Sequence, residues 1–91
     1  MALTTKRNRI QILAAILEVI KRQSNIRLIR ISYGSNLPFD RAKKMVEALA
    51  ASGLVSITKT DEGITYHITS RGLEFLETHK KMLGFLEELR E

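Results

Sequence analysis

Apolar residues recur at three- and four-residue steps through Ile10, Leu13, Ile16, Leu17 and Ile20, which predicts an amphipathic helix over residues 5–22. Gln11, Glu18, Lys21 and Arg22 fall off that stripe. Ser24 or Asn25 offers a side-chain oxygen to the bare amides of a second helix. That helix is short, over residues 26–33, with Ile26, Leu28, Ile29 and Ile31 apolar. Gly34 is expected to stop it, because glycine accepts the left-handed conformation that closes many helices. Pro38 suits the first turn of a third helix, where its missing N–H is no loss. In that helix Phe39, Ala42, Met45, Val46 and Leu49 fall within one face of about 120°, at roughly 100° per residue. Gly53 ends it.

The period then changes from helical to twofold. Val55-Ser56-Ile57-Thr58 alternates, Asp61-Glu62-Gly63 predicts a turn, and Ile64-Thr65-Tyr66-His67-Ile68 alternates again, as a two-stranded hairpin does. Thr69 is placed to cap a last helix, with Glu74 and Glu77 near its positive end. The order is helix, helix, helix, strand, turn, strand, helix. It predicts an α+β fold: a winged helix-turn-helix with a three-helix core, a two-stranded wing and a C-terminal helix. Element order alone does not assign DNA binding, because folds host many functions.

Length makes this one domain, since 91 residues hold no second core. An apolar content of 44% argues against disorder, and the lack of cysteine excludes disulfides and thiolate chemistry. The longest apolar run is too short to cross a bilayer, and residues 1–5 lack a secretory stretch. A soluble cytoplasmic protein is the expectation, with no membrane partner.

Charge changes the picture more. Residues 1–59 carry 11 Lys/Arg against 3 Asp/Glu (+8), whereas residues 60–91 carry 4 against 7 (−3). A basic front and an acidic tail point to one part that meets a polyanion and one kept away from it.

Enzyme chemistry finds little support. His67 and His79 are isolated, neither has an Asp, Glu or Cys partner at metal-ligand spacing, and no phosphate-cradling glycine loop or nucleophile motif occurs. No catalytic residue, cofactor or metal is expected.

A helix-turn-helix needs a short first helix, a tight turn and a second helix with one buried and one exposed face. The second helix enters the major groove, its N-terminal residues closest to the bases. Here Ser35 and Asn36 are expected in the turn, with Arg41, Lys43 and Lys44 in the first two turns of the reading helix. Asp40 and Glu47 share its exposed face, so solvated ion pairs worth about 0.2–0.5 kcal/mol each are an alternative use for those cations. The wing tip is acidic, and Lys59 is its one nearby cation. Phosphate contacts are expected instead from Lys6, Arg7 and Arg9, and from Arg27 and Arg30, which at three-residue spacing share one side of the second helix.

In the last helix Leu73, Leu76, Leu83 and Leu86 form a line that Phe75, Met82, Phe85 and Leu89 widen. Residues 1–78 are read as the DNA-binding domain and residues 79–91 as an extension for dimerisation. Met82, Leu83, Phe85, Leu86 and Leu89 should bury against a second copy, because so small a domain leaves little to cover them. Leu76, Leu83, Leu86 and Arg90 fit an a/d pattern for barely two heptads. Gly84 is a candidate for close helix approach.

The stretches "ILAAILEVI", "RISYGSNLPFDRAKKMVEAL", "GLV" and "YHITSRGLEFLE" resemble the archaeal winged helix-turn-helix DNA-binding proteins, the group of small Sulfolobus DNA-binding proteins and ArnR-like transcriptional regulators. The matching positions are Arg30, Ile31, Tyr33, Asn36, Leu37, Gly53, Leu54, Tyr66, Ile68, Thr69, Gly72, Phe75 and Leu76, and the resemblance covers residues 10–77. It implies a homodimer paired through the C-terminal helix, binding double-stranded DNA and regulating transcription. Pro38 departs from the pattern, standing where that group usually has a small polar cap. An architectural chromatin protein remains an alternative. So does a protein-interaction module without DNA binding, which the acidic wing tip and the acid-bracketed Lys43/Lys44 face favour.

Overall fold

The computed structural model describes residues 8–89. Helix α1 (Arg9–Arg22) starts at a capping box: the Asn8 side chain accepts from the Gln11 amide at 2.7 Å, and the Gln11 side chain accepts from the Asn8 amide at 2.9 Å. Two otherwise bare amides are satisfied at once. Residues 5–7 of the expected helix lie outside the described residues. The buried stripe follows the four-residue steps Ile12, Ile16 and Ile20, with Leu17 beside them. Ile10, expected on that stripe, is half exposed, and Leu13 is only partly covered.

Helix α2 (Leu28–Ser35) starts later than its apolar pattern predicts, because Ile26 is used elsewhere. Ile26 is buried and extended, and its carbonyl accepts from the Tyr66 amide at 2.9 Å. Neither Ser24 nor Asn25 caps the helix; Arg27 holds the N-cap position without a side-chain bond. Its end also differs. Asn36, at φ 58° and ψ 48°, is the left-handed closing residue, and Gly34 lies inside the helix. The reason is contact with α1: a Cβ on Gly34 would stand 2.9 Å from Val19 Cγ1.

Helix α3 (Phe39–Ala51) buries Ala42, Met45, Val46 and Leu49. Pro38 is its N-cap rather than a helical residue, and supplies no side-chain bond where Ser, Thr, Asp or Asn typically contributes about 1 kcal/mol. Phe39 departs from the expected buried face. It is the first residue of the helix and 45% exposed.

The hairpin pairs β1 (Val55–Thr60) with β2 (Gly63–Ile68) in register from Val55 opposite Ile68 to Thr60 opposite Gly63. Side chains alternate between faces. Val55, Ile57, Lys59, Ile64, Tyr66 and Ile68 therefore share the face that reaches the core, and Ser56, Thr58, Thr60, Thr65 and His67 share the other. Ile26 extends this sheet as a single bridge beside β2.

Thr69 joins α3, the wing and helix α4 (Ser70–Leu89). Its hydroxyl donates to the Gly53 carbonyl at 2.7 Å and accepts from the Gly72 amide at 3.0 Å, the cap read from the sequence. Gly72 is packed so tightly on the Leu54 carbonyl and Ile68 that no Cβ fits there. At the centre of the fold Ile16, Leu17, Ile20, Ile31, Val46 and Leu49 are fully buried. Each contributes about 1.5–3 kcal/mol relative to an exposed position.

Candidate nucleic-acid interface

The turn between α2 and α3 is Asn36-Leu37-Pro38, and side-chain bonds fix it from inside. The Ser32 hydroxyl donates to the Leu37 carbonyl at 2.8 Å, and the Leu37 amide donates to the Ser32 carbonyl at 3.0 Å. Ser35, expected in the turn as a DNA contact, is instead the last residue of α2. It is 2% exposed, and its hydroxyl donates to the Ile31 carbonyl at 2.6 Å. The helix runs past Gly34, so Ser35 turns inward. Asn36 keeps its exposed place.

With its apolar side held by the core, α3 presents Asp40, Arg41, Lys43, Lys44 and Glu47 to solvent. The face is mixed in sign along its length. Glu47 is turned towards the wing base: burial first, and then the Glu47 carboxylate, push the Tyr66 phenol above its ordinary value of 10.0. On the opposite flank the Arg9 guanidinium donates to Met45 Sδ at 3.7 Å. Arg41 lies one turn before Met45 on the same stripe, so Arg9 and Arg41 edge one side of the helix.

Arg27 and Arg30 do not form the expected pair. Arg27 lies before α2, and its guanidinium crosses the outer wing face to Gly63, where a Cβ would stand 2.5 Å from Nη1. Arg30 lines a groove of about 330 Å³ between α1 and α2 with Arg22, Val19 and Tyr33. Arg22 was not singled out by the pattern, which places it only on the polar side of α1. Its meeting with Arg30 depends on how the two helices pack. Lys59 is exposed, opposite Ile64 near the wing tip. There the Thr60 hydroxyl donates to the Gly63 carbonyl and accepts from the Glu62 amide, both at 3.2 Å. Lys6, Arg7 and Arg90 lie outside the described residues.

The histidines sit apart. His67 is half-buried on the outer wing face, 3.5 Å from the Thr65 hydroxyl, and the His79 ring stacks on Phe75 with centroids 6.5 Å apart. Among the described residues no group of three or more His, Cys, Asp or Glu stands ready to hold a metal. Among the described residues no helix is long and apolar enough to cross a membrane.

Three helices, a turn locked between the second and third, and a hairpin running into a long helix define the winged helix-turn-helix class. A model of the winged helix-turn-helix family matches residues 6–87, and the chain belongs to that family. Among solved structures it is similar to Sso10a-2, a DNA-binding protein from Sulfolobus solfataricus, at 22% identity and a TM-score of 0.79. That match covers 91% of this chain and 85% of the other. It is also similar to MarR of Staphylococcus aureus in complex with salicylate and kanamycin, at 22% identity and a TM-score of 0.72 over 85% of this chain. FabT of Streptococcus pneumoniae in complex with DNA matches at 14% identity and 0.68 over 84%. The chain spans 53% of that MarR and 55% of FabT. At these identities the likeness is one of fold. No curated protein matches the chain significantly by sequence.

Proposed function

We propose that the chain binds double-stranded DNA through α3 and acts as a homodimeric transcriptional regulator. The observation that carries this reading is the solvent-facing side of α3. Arg41, Lys43 and Lys44 are all exposed there, behind a turn held rigid by Ser32. Lys43 and Lys44, with Asn36, would meet base edges and nearby phosphates in the major groove. Arg9, Arg27, Arg30, Arg41 and Lys59, joined by Lys6 and Arg7, would hold phosphates on either side. Ser35 drops out of the contact set. Two of the similar structures are a DNA-binding protein and a complex with DNA, which supports the reading.

In the same reading residues 1–78 bind DNA and residues 79–91 pair two copies. Met82 and Leu83 are 44% exposed, Leu86 53%, Phe85 66% and Leu89 76%, along the free half of α4. A contiguous apolar patch of this kind is typical of an interface. A groove of about 590 Å³ between α1 and α4, floored by Ala14, Ala15, Leu73, Leu76 and Leu83, continues it towards the core. A cytoplasmic, nucleoid-bound location follows from DNA as the partner.

Titration with a labelled duplex at low salt tests the reading. Micromolar or tighter binding that weakens with salt is expected, whereas no affinity at low salt overturns it and leaves the protein-interaction module. Selection from a random-sequence pool then separates a regulator, which enriches a motif, from an architectural chromatin protein, which does not.

A further inference from the structure

We propose that Phe39 reads the 5-methyl group of thymine in the major groove, giving the chain a preference for thymine at the step facing the start of α3. The inference rests on the DNA-binding reading above and names what that surface selects.

Phe39 is the first residue of α3 and is 45% exposed, although a large aromatic ring at that place would gain by burial. In a helix-turn-helix this end of the second helix comes closest to base edges. Phe39 is not alone. With Ile29, Tyr33, Leu37 and Pro38 it borders a shallow, mixed hollow of about 510 Å³ that Ser32 and Asn36 also line, and Ile29 and Tyr33 are 45% and 76% exposed. It stands four residues before Lys43, so ring and ammonium share a stripe. The N-cap is also apolar, because Pro38 offers no side-chain acceptor.

Asp40 sharpens the choice of occupant. It is exposed next to Phe39, and its carboxylate repels phosphate at this end of the helix. What can approach the ring is therefore a base edge rather than the backbone. The major-groove edges of the bases carry one apolar group, the C5 methyl of thymine, and phenylalanine is among the side chains suited to it.

The test starts from a duplex that the chain binds, replaced at single thymines by deoxyuridine, which removes the methyl alone. Wild-type binding should weaken about fourfold at one or two positions, the factor expected for one buried methyl group. Phe39→Ala should bind both duplexes equally, at the level of the wild type on uracil, with the helical circular dichroism of the wild type at the assay temperature. Indifference of the wild type at every thymine overturns the inference, as does a thymine preference that survives Phe39→Ala. If the wild type binds no duplex at all, the DNA-binding reading itself fails, a result distinct from binding without thymine dependence. Enrichment of a protein partner by the same surface, with no thymine effect, also overturns it.

Discussion

The Ser32 hydroxyl donates to the Leu37 carbonyl at 2.8 Å across the α2–α3 turn, and both residues are buried. Because the Leu37 amide returns a bond to the Ser32 carbonyl, the two residues clamp the turn that sets the angle of α3. Ser32→Ala leaves a buried carbonyl without its side-chain donor and should destabilise the fold by about 1–3 kcal/mol. Urea denaturation measures this as a lower midpoint at unchanged slope. An unchanged midpoint would mean that the clamp contributes nothing.

Gly34 and Val19 set how closely α1 and α2 approach. Gly34→Ala places its methyl carbon 2.9 Å from Val19 Cγ1 and should cost about 1–3 kcal/mol, despite alanine's better helix propensity. In a Val19→Ala background most of that cost should vanish. A double-mutant cycle of thermal stabilities reads the coupling directly. Strictly additive effects would contradict the close contact.

These two positions also show where legibility ended. The order of elements, the hairpin turn at Asp61-Glu62 and the Thr69 cap follow from local chemistry, and each is readable in a window of a few residues. Gly34 has two readings in such a window, helix stop or close approach, and only Val19, far away in sequence, decides between them. Reading it as a stop placed Ser35 in the turn, when one further residue of helix turns its hydroxyl inward. Ile26 was lost to α2 for a similar reason: it pairs with Tyr66, a contact no periodicity reports. Phe39 fitted the buried stripe of α3 by angle, but a helix's first residue lies at the rim of what its neighbours cover. The sequence-level sign of that rim position is Pro38 directly before Phe39, which makes Phe39 the first residue of the helix.

Tyr66 gives the fold a specific alkaline sensitivity. Its phenol is raised above 10.0 by burial and by Glu47, so the folded state holds this proton more tightly than the unfolded chain does. The resulting stability is fully present below pH 10.0 and is lost as pH rises through the folded value. Melting temperatures followed upward from about pH 9 should fall more steeply for the wild type than for Tyr66→Phe. Glu47→Gln should lie between them. Identical pH profiles for all three would show that the phenol is not so held.

Pairing through α4 predicts a change of mass without a change of fold. Leu83 and Phe85 are 44% and 66% exposed in the single chain, so Leu83→Lys/Phe85→Lys removes nothing from the core. Light scattering should find a dimer for the wild type and a monomer for the variant, with equal helical circular dichroism. Truncation after Lys80 should also give a monomer, with a helical signal lower only by the stretch of α4 removed. Retention of the dimer by both would place the interface elsewhere.

If the exposed side of α3 meets DNA, its affinity for a duplex depends on salt. Duplex affinity measured across salt concentrations should fall with a log–log slope of about −4 to −6, for roughly five to seven phosphates neutralised. Lys43→Glu/Lys44→Glu, which changes two exposed positions on α3, should weaken binding and make that slope shallower by about 2. A variant with the wild-type affinity and slope would contradict the account.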